Sequence, residues 1–468
     1  MRFRSTRHFA MLVCGVFLSI YAFVWLLTSG SSSHVTVNKS SIPLEYQARC
    51  RFQETAFEGE EAEVSAEYKL RGVAVVFRHG ERSAMSQKPS FDCACFRDDD
   101  RRTFETLQQE INSDKFAEFV RVDPKFSGYP RTPHRSQCSP ANMTAEGALM
   151  INRMSSFLRS KYQPARLFSG EHMDVKIVSS QYHRTFQSAL SFIQAFFPKP
   201  SSFIPSLNLI VSYFQVYLSN FEIQASNFTF LCTSPACVCS QAKHWRSALY
   251  DSEHQAYFLS HGSKPLIESI QALKSLPAFE NAMDPLALVD TALGNYICRR
   301  KALPCAGKQC LTYDMLNQAI NETFVHGEEM YAARDGLIAR KLQSVEAYAV
   351  LYEVGKMLYY LQKQPHSKII RIFSGHDTVL IPLARSLRIP YIEPPYYATR
   401  MVFEAYDQPE SPLLVRLLYD GVDVTSHLSF CRDKLIDDLC PASALQNYVN
   451  NFIKNTLGVS SIAEVCKD

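Results

Sequence analysis

The sequence predicts an α/β fold, an open sheet core carrying an inserted, mainly helical, disulfide-stapled lobe. Three features predict it. Short apolar runs of the kind buried in mostly parallel sheets alternate with helical patterns. The alternation breaks once, over about 198–335, in a stretch holding Cys232, Cys237, Cys239, Cys298, Cys305 and Cys310. Charged and polar residues follow directly on the strongest strand candidates, where the ligands of open α/β sheets bind.

Taken in order, the chain begins with Arg2, Arg4 and Arg7 in a short tail, residues 1–8, expected on the cytoplasmic side. An uncharged, mostly apolar stretch then runs from Phe9 to Leu27. At about 1.5 Å per residue it is long enough for a hydrocarbon core of ~30 Å, and it exceeds the roughly 7–15 apolar residues of a cleaved signal peptide. Residues 9–28 therefore read as a signal-anchor. The positive residues stay cytoplasmic and the rest of the chain is lumenal, a single-pass type II topology. Residues 29–66, Ser-rich and then acidic with no sustained periodicity, read as a stem, and 67–468 as the folded domain.

Within that domain the strands are Leu70–Phe77, Asp174–Ser179 and Lys368–Ser374. Thr144 is placed to cap a helix ending near Tyr162. A second helix runs from Thr185 to Phe197, stopped by Pro198 and Pro200, and a long amphipathic one from Asp335 to Gln362. Two last strands, Arg400–Tyr406 and Leu413–Tyr419, are joined by a Pro-containing hairpin connection.

Length and charge exclude little. A chain of 468 residues with a net charge of +3 shows no long basic block beyond its first residues, which argues against nucleic-acid binding by bulk electrostatics. Its 14 cysteines lack paired C-x-x-C knuckles and point to disulfides in an oxidising compartment. With Cys14 in the apolar span an odd number remain, so one thiol is free or pairs between chains. Sequons at Asn38, Asn142, Asn227 and Asn321 fit a glycosylated lumenal protein.

The first strand runs into Arg78-His79-Gly80-Glu81-Arg82, an imidazole between guanidiniums. Two such forks hold a phosphate dianion, and the ring nitrogen between them can attack phosphorus. A basic surface turn would have the same residues. The ends of the other two strands supply what the chemistry still needs: Arg184 after the second, and His376 with Asp377 after the third. Guanidiniums stabilise charge on the equatorial oxygens, His79 accepts the phosphoryl group, and a protonated Asp377 serves the departing alkoxide. His376 is a phosphate hydrogen-bond donor, or else a core histidine satisfied by backbone. With cationic charge already provided by arginine, no metal and no cofactor are expected. Gly80 and Gly375 are expected to let the backbone turn sharply and approach a ligand.

Over roughly residues 70–430 the chain resembles the histidine acid phosphatases, in which an R-H-G-x-R element opens the domain and an H-D pair closes it. The resemblance implies a phosphoglycerate-mutase-like core, His79 as nucleophile, Asp377 as proton donor, and Arg78, Arg82, Arg184 and His376 as phosphate-binding residues. Ala84 stands where the family usually has proline, which loosens the loop, and in Ser179–Thr185 only the first serine and the Arg-Thr pair follow the common pattern. Further segments, Arg184–Ser188, Cys232 with Cys237-Val238-Cys239, and Leu418–Cys431, are similar to type II membrane members of the family. These work in the Golgi on a phosphorylated sugar of the linkage region between glycosaminoglycan and protein. A broad-specificity lumenal or lysosomal phosphatase and a non-catalytic lumenal binding protein on the same fold remain as alternatives.

Overall fold

A computed structural model of the chain describes residues 42–52, 57–85, 98–135, 139–168, 172–197, 221–226, 231, 239–249, 264–276, 278–282, 284–332, 337–390, 394–409 and 411–467. Glu45–Asp468 forms one compact unit. Its core is a nine-stranded sheet. The strands in chain order are β1 (Lys69–Arg78), β2 (Val120–Val122), β3 (His172–Ser179), β4 (Phe221–Ala225), β7 (Ser367–Gly375), β8 (Arg400–Asp407), β9 (Leu414–Tyr419), β10 (Val422–Asp423) and β11 (Cys440–Pro441), while β5 (Cys305–Ala306) and β6 (Gln309–Cys310) pair separately.

The sheet order is β10-β9-β8-β1-β7-β3-β4-β2, with β11 also on β9. From β1 through β7, β3 and β4 to β2 all pairs are parallel; β8 and β9 are antiparallel. β1 lies at the centre and is buried from Leu70 to Phe77, as its unbroken apolar run requires. Ala74 and Val76 face one layer, formed by the helices Leu337–Lys363, Asp377–Leu387 and Ala442–Leu457. Phe77 belongs to the opposite face, where its ring stacks 4.9 Å from Phe192 of the His183–Phe196 helix.

The helix Ala145–Tyr162 starts at its expected cap, the Thr144 hydroxyl accepting from Gly147 N. Four disulfides, Cys50–Cys298, Cys239–Cys466, Cys305–Cys310 and Cys431–Cys440, join described cysteines. Cys14, Cys93, Cys95, Cys138, Cys232 and Cys237 lie outside the described residues, as do the apolar span 9–28, Asn38 and Asn227. No described helix is long and apolar enough to cross a membrane. Asn321 is exposed on the Tyr313–Ala332 helix and Asn142 is half-buried.

Two boundaries differ from the sequence expectation. Phe221–Ala225, inside the stretch read as an inserted lobe, is a strand of the main sheet, parallel to β3 and β2. Five residues whose pairing partners are far away in sequence carry too little periodicity to reveal this. The expected stem also ends earlier. Tyr46 and Glu61 are fully buried, and Cys50 is tied to Cys298. Buried Tyr46, Phe52 and Phe57 hold this segment together with the disulfide and ion pairs, and three aromatics so irregularly spaced show no period that hydrophobic patterning could detect. Arg400 Nε binds Glu61 Oε1 at 2.6 Å, with both side chains at 0% exposure, and Arg416 binds the Glu60 carbonyl at 2.6 Å and Asp423 at 2.6 Å.

Beside these pairs, buried Glu404 accepts from Tyr162 and Tyr406 hydroxyls and from Ala62 N, each at 2.8 Å. Burial outweighs these bonds and pushes its carboxyl up to about 7. The folded chain therefore keeps this proton where an unfolded chain, with an ordinary glutamate, has lost it, so stability falls as pH rises from about 4.5 to 7. Glu404→Gln removes the titration but keeps the shape. Thermal melts at pH 5.5 and 7.5 should show a smaller drop in Tm for the variant than for the native chain.

Candidate active site

β1, β7 and β3 are parallel and in register at their carboxyl ends, with Arg78 opposite Gly375 and Ser374 opposite Ser179. Residues that follow them are delivered to one edge of the sheet. His79 continues β1 by donating its backbone N–H to the Gly375 carbonyl at 2.9 Å. Its side chain is 2% exposed and its ring centroid lies 5.4 Å from that of His376, edge to face. Nδ1 is 2.8 Å from the Gly80 carbonyl. A carbonyl only accepts, so Nδ1 carries the hydrogen and Nε2 keeps its lone pair. Burial, then Arg184, Arg78, His376 and Arg82, hold His79 well below the ordinary histidine range. The ring is neutral at neutral pH and available as a nucleophile.

Three guanidiniums share this edge, each held differently. Arg78 donates to the Pro395 carbonyl at 2.6 Å, pairs with Asp377 Oδ2 at 2.9 Å, and lies 4.7 Å over the Tyr397 ring. Arg82 donates Nη1 to the Ser83 carbonyl at 2.9 Å and pairs through Nη2 with Asp290 Oδ1 at 2.7 Å. Arg184 lies 4.4 Å over Tyr182 and, among the described residues, makes one long hydrogen bond, 3.5 Å, to the Ala141 carbonyl. Burial and the nearby Arg82 lower it to about 10, still protonated at neutral pH. Arg184 sits in the first turn of the His183–Phe196 helix, where the helix dipole disfavours a cation. A cation persists there when it serves an anion. The Nε atoms of Arg78, Arg82 and Arg184 are all buried without a hydrogen-bond partner among the described residues.

His376 and Asp377 open the Asp377–Leu387 helix, whose N-terminus faces the same edge, as does that of the Arg184 helix. His376 Nε2 is 2.8 Å from Ser180 Oγ, which in turn bonds Thr185 Oγ1 at 2.9 Å, so this histidine is oriented by side chains rather than by backbone. Burial, then Arg184 and Arg78, keep it neutral, with Nδ1 left to meet a ligand. Asp377 is one-third exposed. Burial pushes its carboxyl up, but Arg78 and Arg82, the Thr378 N–H and Arg184 together pull it below the usual aspartate range.

The edge thus gathers Arg78, His79, Arg82, Arg184, His376 and Asp377, all the residues named from the sequence. Ser180, Tyr182, Tyr397, Asp290 and the buried Glu81–Arg299 pair, at 2.7 Å, were not legible there. Tyr397 follows Pro394-Pro395, a rigid turn that was the one available signal; Asp290 and Arg299 come from distant helical turns with none. Gly80 is small for a different reason than expected. A Cβ there would sit 2.1 Å from the Gly147 carbonyl, and one on Gly147 would sit 2.1 Å from that of Glu81. The two glycines dock the motif loop on the Ala145–Tyr162 helix instead of giving a ligand access to the backbone. Nor is Ala84 in a loose loop: it is fully buried, with its carbonyl accepting from Ala141 N at 3.1 Å. Among the described residues no group of three or more His, Cys, Asp or Glu is arranged to hold a metal ion.

Residues 69–420 match the histidine phosphatase superfamily (branch 2). The chain is similar to 2-phosphoxylose phosphatase 1 of Xenopus tropicalis, 22% identical over 418 residues covering 85% of this chain and 77% of that one, and to its Homo sapiens counterpart, 22% identical over 426 residues covering 88% and 82%. Among solved structures it is similar to the apo form of Hafnia alvei phytase (TM-score 0.44, 13% identity, 83% and 98% covered). It is also similar to the apo form of Bifidobacterium longum multiple inositol polyphosphate phosphatase (TM-score 0.41, 12% identity, 87% and 99% covered). The chain belongs to the histidine phosphatase superfamily, branch 2, and is a phosphoric monoester hydrolase.

Lysine in place of Arg78 keeps a charge but not the fork that spans Pro395, Asp377 and an anion together. Arg78→Lys should weaken competitive inhibition by inorganic phosphate by about tenfold or more, the scale of one charge-assisted hydrogen bond. Inhibition kinetics on the compact unit Glu45–Asp468 check it.

Proposed function

We propose that this phosphatase works through a phosphohistidine and needs no metal. The observation that carries the reading is the neutral His79, its Nε2 lone pair free, among three guanidiniums whose Nε atoms are buried without a partner among the described residues. Arg78, Arg82 and Arg184 hold the phosphoryl oxygens, and His376 joins them as a donor once the charge of the bound dianion favours a proton on its Nδ1. His79 Nε2 attacks phosphorus; the P–N bond forms as the bond to the ester oxygen breaks. Asp377 gives its proton to the departing alkoxide and becomes a carboxylate. Water then attacks the phosphohistidine, its proton passing to Asp377, and the P–N bond breaks to release phosphate and restore His79.

The substrate we propose is the 2-phosphate of xylose in the linkage region between glycosaminoglycan and protein. Similarity over most of the chain to proteins named 2-phosphoxylose phosphatase 1 supports it. The setting we propose is the Golgi membrane, with 1–8 cytoplasmic, 9–28 as anchor and the catalytic domain lumenal. The apolar length of Phe9–Leu27 supports the anchor, and the disulfides support an oxidising lumen. The exposed sequon at Asn321 and the half-buried one at Asn142 are candidate glycosylation sites of that lumenal face.

His79→Ala should cut turnover by on the order of 10³-fold or more and leave the melting temperature within a few degrees. Loss of less than about tenfold would remove His79 as nucleophile. Asp377→Asn should slow hydrolysis of a sugar phosphate by about 10²–10⁴-fold but that of an aryl phosphate much less, since a good leaving group needs little protonation. Equal losses would make Asp377 an orienting group. The native domain should release phosphate from a phosphoxylose-containing linkage oligosaccharide faster than from generic phosphomonoesters, with activity unchanged by a chelator.

A further inference from the structure

Arg82 is the one motif arginine whose carboxylate partner comes from the long stretch between the second and third strands of the site. Asp290 lies in the helix Pro285–Ala292, which is started by Asp284, whose Oδ1 accepts from Ala287 N at 2.9 Å. Both oxygens of Asp290 are engaged. Oδ1 binds Arg82 Nη2 at 2.7 Å and Oδ2 accepts the Met85 backbone N–H at 2.8 Å. One carboxylate therefore bridges the guanidinium and the chain that leaves the motif, and its side chain is only 16% exposed.

The segment that follows that bridge is held against the motif as well. In the following turns, Leu293–Ile297, Gly294 lies so near Ala84 that a Cβ would be 2.6 Å from the Ala84 nitrogen. Arg299 binds buried Glu81 at 2.7 and 3.0 Å, and Cys298 is joined to Cys50. Glu81, Arg82, Ala84 and Met85 are thus each fixed by this one segment. With Nη2 on Asp290 and Nη1 on the Ser83 carbonyl, the guanidinium plane is set, and its Nε stays buried and unpartnered among the described residues.

We propose that Asp290 is a positioning residue for the phosphatase reaction: it orients the Arg82 guanidinium toward the phosphoryl group, so that the helix bearing it is part of the phosphate-binding apparatus. This rests on the phosphatase reading above. A carboxylate beside an anion site has two opposite effects. Its charge repels phosphate, whereas its hold on Arg82 aligns donors with phosphate. If charge alone mattered, removing Asp290 would tighten phosphate binding.

The experiment measures the dissociation constant of inorganic phosphate for the native lumenal domain, Asp290→Ala, Arg82→Ala and the double variant, with kcat and KM on an aryl phosphate for the active forms. The expected result is about tenfold weaker phosphate binding in Asp290→Ala, with a fall in kcat/KM, and no further weakening when Asp290→Ala is added to Arg82→Ala. Unchanged or tighter phosphate binding in Asp290→Ala overturns the proposal. So does an equal weakening in the Arg82→Ala background, which would mean a general structural role. If Asp290→Ala does not fold, Asp290→Asn is measured in the same way. Its amide can accept from Arg82 or from Met85 but not from both, so the same sign is expected and the same results overturn the idea. A native domain that binds phosphate but hydrolyses no ester would sink the phosphatase mechanism and leave the Asp290–Arg82 result standing as an anion-binding device.

Discussion

Three guanidiniums crowded around a buried imidazole repel one another in a place where burial weakens screening by water, and the rest of the site is arranged around that constraint. Arg78 and Arg82 are each offset by a carboxylate, Asp377 and Asp290, at 2.9 and 2.7 Å. Arg184 makes no ion pair among the described residues; it has the face of Tyr182, a long contact to a carbonyl and the more distant charge of Asp377, and its proton is accordingly held less firmly. Two compensated cations and one uncompensated one leave positive charge for a single dianion to satisfy. The helix N-termini at Arg184 and Asp377 add to the same field without adding side chains.

Holding those charges in place requires a stiff frame. Parallel pairing of β1 with β7 and β7 with β3 fixes the three strand ends relative to each other, and the His79 N–H to Gly375 carbonyl bond extends that register one residue into the site. Beyond it the motif loop is clamped from two sides. Residues 81–84 bond to 141–144 on one side, with Gly80 and Gly147 allowing contact that any side chain would prevent. On the other side lie Asp290, Gly294 and Arg299. A proline at position 84 is unnecessary in a loop whose freedom has already been removed by its neighbours.

Apolar patterning and local polarity made much of this legible in the sequence. The apolar runs of β1 and β7, and the shorter one that is buried at Ile177–Ser179 of β3, announced parallel strands, and the residues directly after them are the ones that meet at the site. Thr144 announced its helix. What stayed hidden depends on partners far away in sequence. β4 is recognisable only by pairing with β3 and β2. The segment around Tyr46, Cys50 and Glu61 is bound by a disulfide and by ion pairs to Arg400 and Arg416, which leave no periodic trace. Asp290 is one acidic residue in an ordinary amphipathic helix, distinguished only by what lies opposite it.

The protonation states needed for catalysis show why substrate binding matters to the chemistry itself. The proposed reaction needs His79 neutral and Asp377 protonated. Burial acts in the required direction on both, lowering the imidazole and raising the carboxyl. The arginines help His79 in the same way but work against Asp377, and in the unliganded site they prevail, leaving Asp377 ionised. A bound phosphate dianion offsets their charge, after which burial governs both groups, and it favours the acid and the base together. The site is thus poised as an anion receptor first: in the proposed reaction the bound dianion raises the Asp377 carboxyl, which takes from solvent the proton it then gives away.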